Sequence, residues 1–387
     1  PREEQQGGSG MSAEALTLVC LFAAVPAFGA ALWLARTGLR HGRALDDTWH
    51  EPQKLHKVAI PRIGGIAIAA GVLAGAAAAT VLIGGMEGSW VLLACMVPGF
   101  AWGLHEDLSK RGAVFARLAL TATTPMLAYV LLDARITQVG VPGLDELLAV
   151  HAFSFLFTVF AVTGIAHAIN VVDGLNGLAG VCSLLASIGL AVVAWVVEDE
   201  AVFVGALVLA ASVAGFLLVN YPHGRLFLGD GGAYFIGLVL AVLSVLLVER
   251  NAEVSPWVPL MLLAYPIWET LFSMFRRRLR GRSAGSADAL HLHSLVYRRV
   301  VRWAGHGASP AETVARNSLA SAALWILPVA CWPVAVLLWS ETAALQGAAA
   351  VFIVLYVALY RAVVRFRVPA ALVVRKRAKV ARAVKPA

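Results

Sequence analysis

The fold turns on the run EAVFVGALVLAASVAGFLLVNYPHGRLFLGDGGAYFIGLVLAVLSVLLVER, Glu200–Arg250. Two apolar stretches of about 20 residues, the length a helix needs to cross the hydrocarbon core of a bilayer, flank the polar segment Asn220–Phe235. Neither alternates polar with apolar residues as a barrel strand does, and a backbone in lipid must satisfy its own hydrogen bonds. Both therefore read as transmembrane helices. Similar runs recur in both directions, from Glu14–Arg36 to the run ending at Tyr360, about eleven in all. The 387 residues are 60% hydrophobic and 14% charged, too apolar for an ordinary soluble domain, and the mean hydropathy is +0.78. The expected fold is all-α: a polytopic integral membrane protein with about eleven transmembrane helices.

Basic residues fall in alternate connections. One set holds Arg36, Arg40, Arg43, Lys54, Lys57 and Arg62, then Lys110 and Arg111, then Arg225, then RRRLRGR (Arg276–Arg282). The other holds only Arg135 and Arg250. The positive-inside rule makes the first set cytoplasmic, with the N-terminus periplasmic and the basic C-terminal tail VRKRAKVARAVK cytoplasmic, which requires an odd number of spans. The net charge of +8 then reports topology and contact with anionic lipid, and nucleic acid is not an expected partner. Residues 1–10 read as a remnant of expression ahead of Met11, residues 11–366 as one transmembrane catalytic domain, and 367–387 as the cytoplasmic tail. Cys20, Cys95, Cys182 and Cys331 all lie in expected spans without metal-site or disulfide spacing, so they read as packing residues.

The polar chemistry gathers on the basic, inward connections. KLHKVAIPRIGG (Lys54–Gly65) offers His56, Lys57 and Arg62 beside two glycines, which suits a phosphate as well as a flanking charge. GLHEDLSKR (Gly103–Arg111) places Glu106 and Asp107 directly after a span; neighbours on a helix point in different directions, so the two acids can take separate roles. NVVDGLNGLAG (Asn170–Gly180) carries glycines that permit close approach, with Asp173 and Asn176 able to present hydrogen-bonding edges to a base or a ribose. Its spacing is not that of an EF-hand. In FLGDGG, Asp230 stands among glycines at a span's mouth, where a carboxylate is costly unless paired or metal-bound. Mg²⁺, which keeps waters and binds phosphates through one or two carboxylates, is the natural partner. Finally come Glu269 in YPIWETLF and His291 and His293 in ADALHLHSLVYRR, a pair too sparse for zinc and better suited to phosphate. SPAE (Ser309–Glu312) reads as a helix cap.

Taken in order, KLHKVAIPRIGG, GLHEDLSKR, NVVDGLNGLAG, FLGDGG and ALHLHS resemble the polyprenyl-phosphate N-acetylhexosamine-1-phosphate transferase family over Lys54–His293, most nearly the bacterial branch that initiates O-antigen and related polysaccharides. The resemblance implies transfer of a sugar-1-phosphate from a UDP-sugar to undecaprenyl phosphate with release of UMP, in the presence of Mg²⁺ or Mn²⁺. It places the protein in the bacterial inner membrane with its site facing the cytoplasm, and a homodimer is also expected. By the same likeness Glu106, Asp107, Asp230, His291 and His293 are catalytic, with Asp230 and Asp107 at the metal. His56, Lys57, Arg62, Lys110, Asn170, Asp173, Asn176, Asn220 and Phe227 bind substrate, with Asn220 assigned to uracil. Three positions depart from the family pattern: Glu106 replaces an Asp, Asn176 an Asp, and Ser294 ends the histidine run.

Two other readings compete. A multi-span transporter of an anionic substrate would fit the basic interior, but transporters place ionisable groups near the midplane, whereas these acids cluster at one edge. An intramembrane aspartyl protease needs the first glycine of GxGD, which FLGD lacks.

Overall fold

The computed structural model describes residues 11–38, 60–84, 87–110, 113–281, 290–301 and 309–365. His56, Lys57, the first ten residues and the C-terminal tail lie outside the described residues. Regular structure within them is helical, without a β-strand: α1 (Ala13–Thr37), α2 (Gly64–Leu82), α3 (Glu87–Ser109), α4 (Val114–Leu131), the short α5 (Leu144–Leu148), α6 (His151–Val172), α7 (Leu178–Val196), α8 (Glu200–Asn220) and α9 (Gly229–Arg250). There follow α10 (Trp257–Leu262), α11 (Ala264–Leu279), α12 (Leu292–Leu295) running into a π-helical turn at Val296–Val300, α13 (Pro310–Leu324), α14 (Ile326–Leu337) and α15 (Thr342–Val364).

Ten helical segments among the described residues are long and apolar enough to cross a membrane, α13 and α14 together forming one of them. The count differs from eleven because the expected span near residues 257–279 is broken at Leu263. Pro266 sits in the first turn of α11, where a missing N–H costs no helical hydrogen bond, so the chain restarts there instead of continuing α10. The broken pair still traverses the bundle. At its start Trp257 Nε1 donates to Val139 O (2.8 Å) in the connection after α4, and near its end Arg276 donates to Leu290 O (2.5 Å), next to the histidine motif.

Helix α9 is the axis. Its residues Gly231–Leu247 are all buried, and α2, α3, α4, α6, α7 and α8 all pack on it. A helix apolar on every side belongs in such a position. By contrast α1, α4 and α6 turn large apolar side chains outward, among them Trp33, Phe115 and Phe160, as a lipid-facing surface requires.

At one end of the bundle α2, α3 and α9 meet backbone to backbone. A Cβ on Gly65 would strike the backbone of Gly232, and one on Gly103 would lie 2.6 Å from Gly231 Cα. Gly229 adopts φ +79°, a conformation that favours glycine, and opens α9 against the backbone of Arg62. A short backbone link locks the same junction: Phe227 N–H donates to Pro61 O (2.9 Å) and Gly64 N–H to Phe227 O (2.9 Å). Helix α15 ends at this face too, where Arg299 donates to Val364 O (2.5 Å).

Candidate functional site

Asp230 stands in the first turn of α9, with 21% of its side chain exposed. Its Oδ1 accepts from Asn170 Nδ2 (2.7 Å), at the end of α6, and Arg62 Nη2 lies 3.5 Å from the same oxygen. Both of these ties reach Oδ1. Asp107, buried in the last turns of α3, does different work. Its Oδ1 accepts the N–H of Asp230 (2.8 Å) and its Oδ2 that of Gly231 (2.9 Å), so one carboxylate holds the first amides of α9 and complements the positive end of that helix.

Glu106 points elsewhere, as adjacent positions on a helix must. Arg117 of α4 grips it, Nε lying 3.1 Å from each carboxylate oxygen and Nη2 3.0 Å from Oε1, while Tyr234 OH reaches Oε2 at 3.4 Å. Behind this pair His167 Nε2 lies 3.1 Å from Thr121 Oγ1, and its ring packs edge-on to Tyr234 at 5.0 Å. The motif reading passed over Arg117, His167 and Tyr234. Arg117 and His167 were detectable, since an ionisable residue inside an otherwise apolar run marks function by default; Tyr234 carried no comparable signal.

Asp173 follows α6 directly, close to both Arg62 and Asp230. Burial raises its carboxyl to about 7; Arg62 works against the rise, Asp230 adds to it, and a hydrogen bond from the Gly229 backbone opposes it. The next residue, Gly174, is where the histidine motif docks: any Cβ there would strike the His293 ring. His293 stacks on His291 with centroids 5.4 Å apart and planes 5° from parallel. His291 is in turn fixed by Glu269, whose Oε1 lies 2.9 Å from Nδ1. Glu269 also accepts the Leu292 N–H (3.2 and 3.3 Å) and Tyr356 OH (2.5 Å), and is itself 1% exposed.

The fold thus brings Arg62, Asp107, Asn170, Asp173 and Asp230 into one cluster, with Glu106 behind it and the histidines against its edge. Other expected residues lie differently. Lys110 stands exposed past the end of α3 at φ +53°. Phe227, half-buried, contributes its backbone to the α2 junction. Asn220 is 4% exposed, its Oδ1 accepting from Gly177 N–H and its Nδ2 donating to Leu226 O, both at 2.7 Å. Asn176 is 2% exposed, its Nδ2 donating to Pro222 O (3.2 Å) and its Oδ1 buried without a hydrogen bond. Instead of presenting edges to a ligand, these two amides face the protein and hold the loop.

No group of three or more His, Cys, Asp or Glu side chains placed to hold a metal by themselves occurs among the described residues. A cation here would need a substrate's oxygens and water to complete its shell, which is how Mg²⁺ is commonly bound.

Known proteins resemble this chain. A model described as glycosyl transferase family 4 matches residues 89–248, which include Glu106, Asp107, Asn170, Asp173 and Asp230. The chain is 31% identical over 245 residues to a probable undecaprenyl-phosphate N-acetylglucosaminyl 1-phosphate transferase of Bacillus subtilis, covering 62% of this chain and 66% of that one. It is 29% identical over 319 residues to a decaprenyl-phosphate N-acetylglucosaminephosphotransferase of Mycolicibacterium smegmatis (74% and 76%). It is also 30% identical over 237 residues to the phospho-N-acetylmuramoyl-pentapeptide-transferase of Chlamydia muridarum (56% and 70%).

Proposed function

The chain belongs to glycosyl transferase family 4, among the polyprenyl-phosphate N-acetylhexosamine-1-phosphate transferases, and from that premise we propose that it moves an N-acetylhexosamine-1-phosphate from a UDP-sugar to undecaprenyl phosphate, releasing UMP. The observation that carries this reading is the convergence of Arg62, Asn170, Asp173 and Asp230 on the N-terminus of α9 at one end of the bundle. An oxygen of the lipid phosphate forms a bond to the sugar-bearing phosphorus, and the anhydride bond to UMP breaks.

Two anionic phosphates must meet for this to happen. Unit like charges about 4 Å apart repel by roughly 4 kcal/mol at an effective dielectric near 20. Catalysis then rests on positioning and neutralisation, with little covalent work for the protein. Asp230, partly exposed and tied through Oδ1, fits Mg²⁺ together with substrate phosphates. Asp107 would steady the backbone that carries Asp230, because both its oxygens already hold α9 amides. When bound, the ion supplies charge neutralisation for the two phosphates. Arg62 adds a cationic donor beside them, Asp173 meets the donor's polar edge, and the His291–His293 pair closes the phosphate side. The Glu106–Arg117 pair sets the wall behind.

From the Lys and Arg distribution we place this end of the bundle at the cytoplasmic face of a bacterial inner membrane. The test is direct. Purified protein with Mg²⁺, undecaprenyl phosphate and a panel of UDP-N-acetylhexosamines should release UMP and form a lipid-linked sugar diphosphate, detected by mass spectrometry. Folded protein that makes no such lipid with any donor refutes the reading.

A further inference from the structure

We propose that α13, which lies outside the family-matched segment, is part of the donor site: Asn317 is a positioning residue for the loop Asp173–Gly177, and residue 176 must be an amide for that loop to be held. The inference rests on reading this loop as the donor's.

Three consecutive residues of α13 tie it to three different pieces of the site. Arg316 donates to Tyr297 O (Nε 3.1 Å, Nη2 2.7 Å) in the turn after the histidines, and its guanidinium lies 4.4 Å from the Tyr297 ring centre. Asn317, fully buried, accepts the N–H of Asn176 on Oδ1 (2.7 Å). Ser318 donates to Pro222 O, the same carbonyl that accepts from Asn176 Nδ2. The helix itself starts at a fixed point, because Ser309 and Glu312 form a reciprocal capping box.

A second helix holds the loop as well. The adjacent N–H, that of Gly177, goes to Asn220 of α8 (2.7 Å), so two successive loop amides are gripped by side-chain amides from two different helices. Gly177 has φ +76°, a turn that other residues adopt only under strain. Four residues upstream lies Asp173, and between them Gly174 has no room for a Cβ against His293. A loop released from Asn317 would therefore carry Asp173 out of register. A carboxylate at 176 would set an oxygen against the carbonyl oxygen of Pro222 in a buried place, leaving that bond unmade. The departure from the family's Asp at this position thus follows from what α13 and Pro222 present to it.

The test uses Asn317→Leu, which removes the acceptor oxygen, and adds Asn176→Asp. Binding of UMP is measured by calorimetry, KM for UDP-N-acetylglucosamine and for undecaprenyl phosphate by steady-state kinetics, and thermal unfolding alongside. Loss of one hydrogen bond to a buried group predicts about a tenfold weaker UMP affinity and higher donor KM in Asn317→Leu and in Asn176→Asp, with the lipid KM within about twofold. Unchanged UMP affinity in Asn176→Asp overturns the proposal even if Asn317→Leu does not fold, and so does a parallel rise of both KM values. Wild type that binds no UMP would instead defeat the donor-loop reading, and this inference with it.

Discussion

Two buried-edge carboxylates at the same end of this bundle are held in opposite ways. Glu269 is closed: His291, Leu292 and Tyr356 engage both its oxygens, and almost none of it is exposed. Asp230 is open: Asn170 and Arg62 reach its Oδ1, and a fifth of the side chain is accessible. Charge at a membrane edge is expensive either way. In the closed case the protein supplies the compensation itself, which makes the residue a fastener. In the open case the compensation is left to something that arrives.

Four measurements sharpen or break that contrast. The largest effect is expected for Asp230→Asn, which should lower turnover by at least about a thousandfold while leaving the unfolding temperature unchanged, because an open carboxylate supports chemistry more than structure. Normal turnover in that variant would remove Asp230 from the metal. Glu269→Gln should lower stability and turnover together, the former by about 2 kcal/mol, because a buried charged acceptor loses its ties to His291 and Tyr356; a thermal shift assay beside kcat would expose a purely catalytic loss and so erase the contrast. Asp173→Ala should weaken donor binding about tenfold and lipid binding little, read by equilibrium binding of each substrate. The smallest effect belongs to Tyr356→Phe, which removes one donor from Glu269 and should lower kcat about threefold to tenfold without moving either KM. A change in donor KM there would mean that α15 acts on the donor loop and not through the histidines.

The spans were legible because each carries its own evidence: a run such as Gly229–Arg250 is apolar along its whole length and needs no partner to be recognised. The pair α10 and α11 was not, since Pro266 and Glu269 interrupt an apolar run without announcing whether the helix bends, breaks or ends. Within the site, Asp230, Asn170 and Arg62 could be gathered from their motifs, although those motifs are 60 and 168 residues apart from Asp230 in the chain. Asn176 and Asn220 show the limit. A sequence declares that an amide is present but not which way it faces, and these two face backbone groups and α13 side chains whose approach depends on the completed fold. Arg117 and His167 are a different case: they lie inside spans, away from the polar segments that carry the motifs.

The meeting of α2, α3 and α9 through Gly65, Gly103, Gly231 and Gly232 has a consequence in entropy. Wherever side chains line a binding centre, capturing a ligand freezes rotamers, at about 0.5–1.5 kcal/mol for each flexible chain immobilised. Here the floor beneath Asp230 is main chain, already fixed when the helices packed. That conformational freedom was surrendered during folding, so a substrate arriving at this end of the membrane meets a surface with little disorder left to lose.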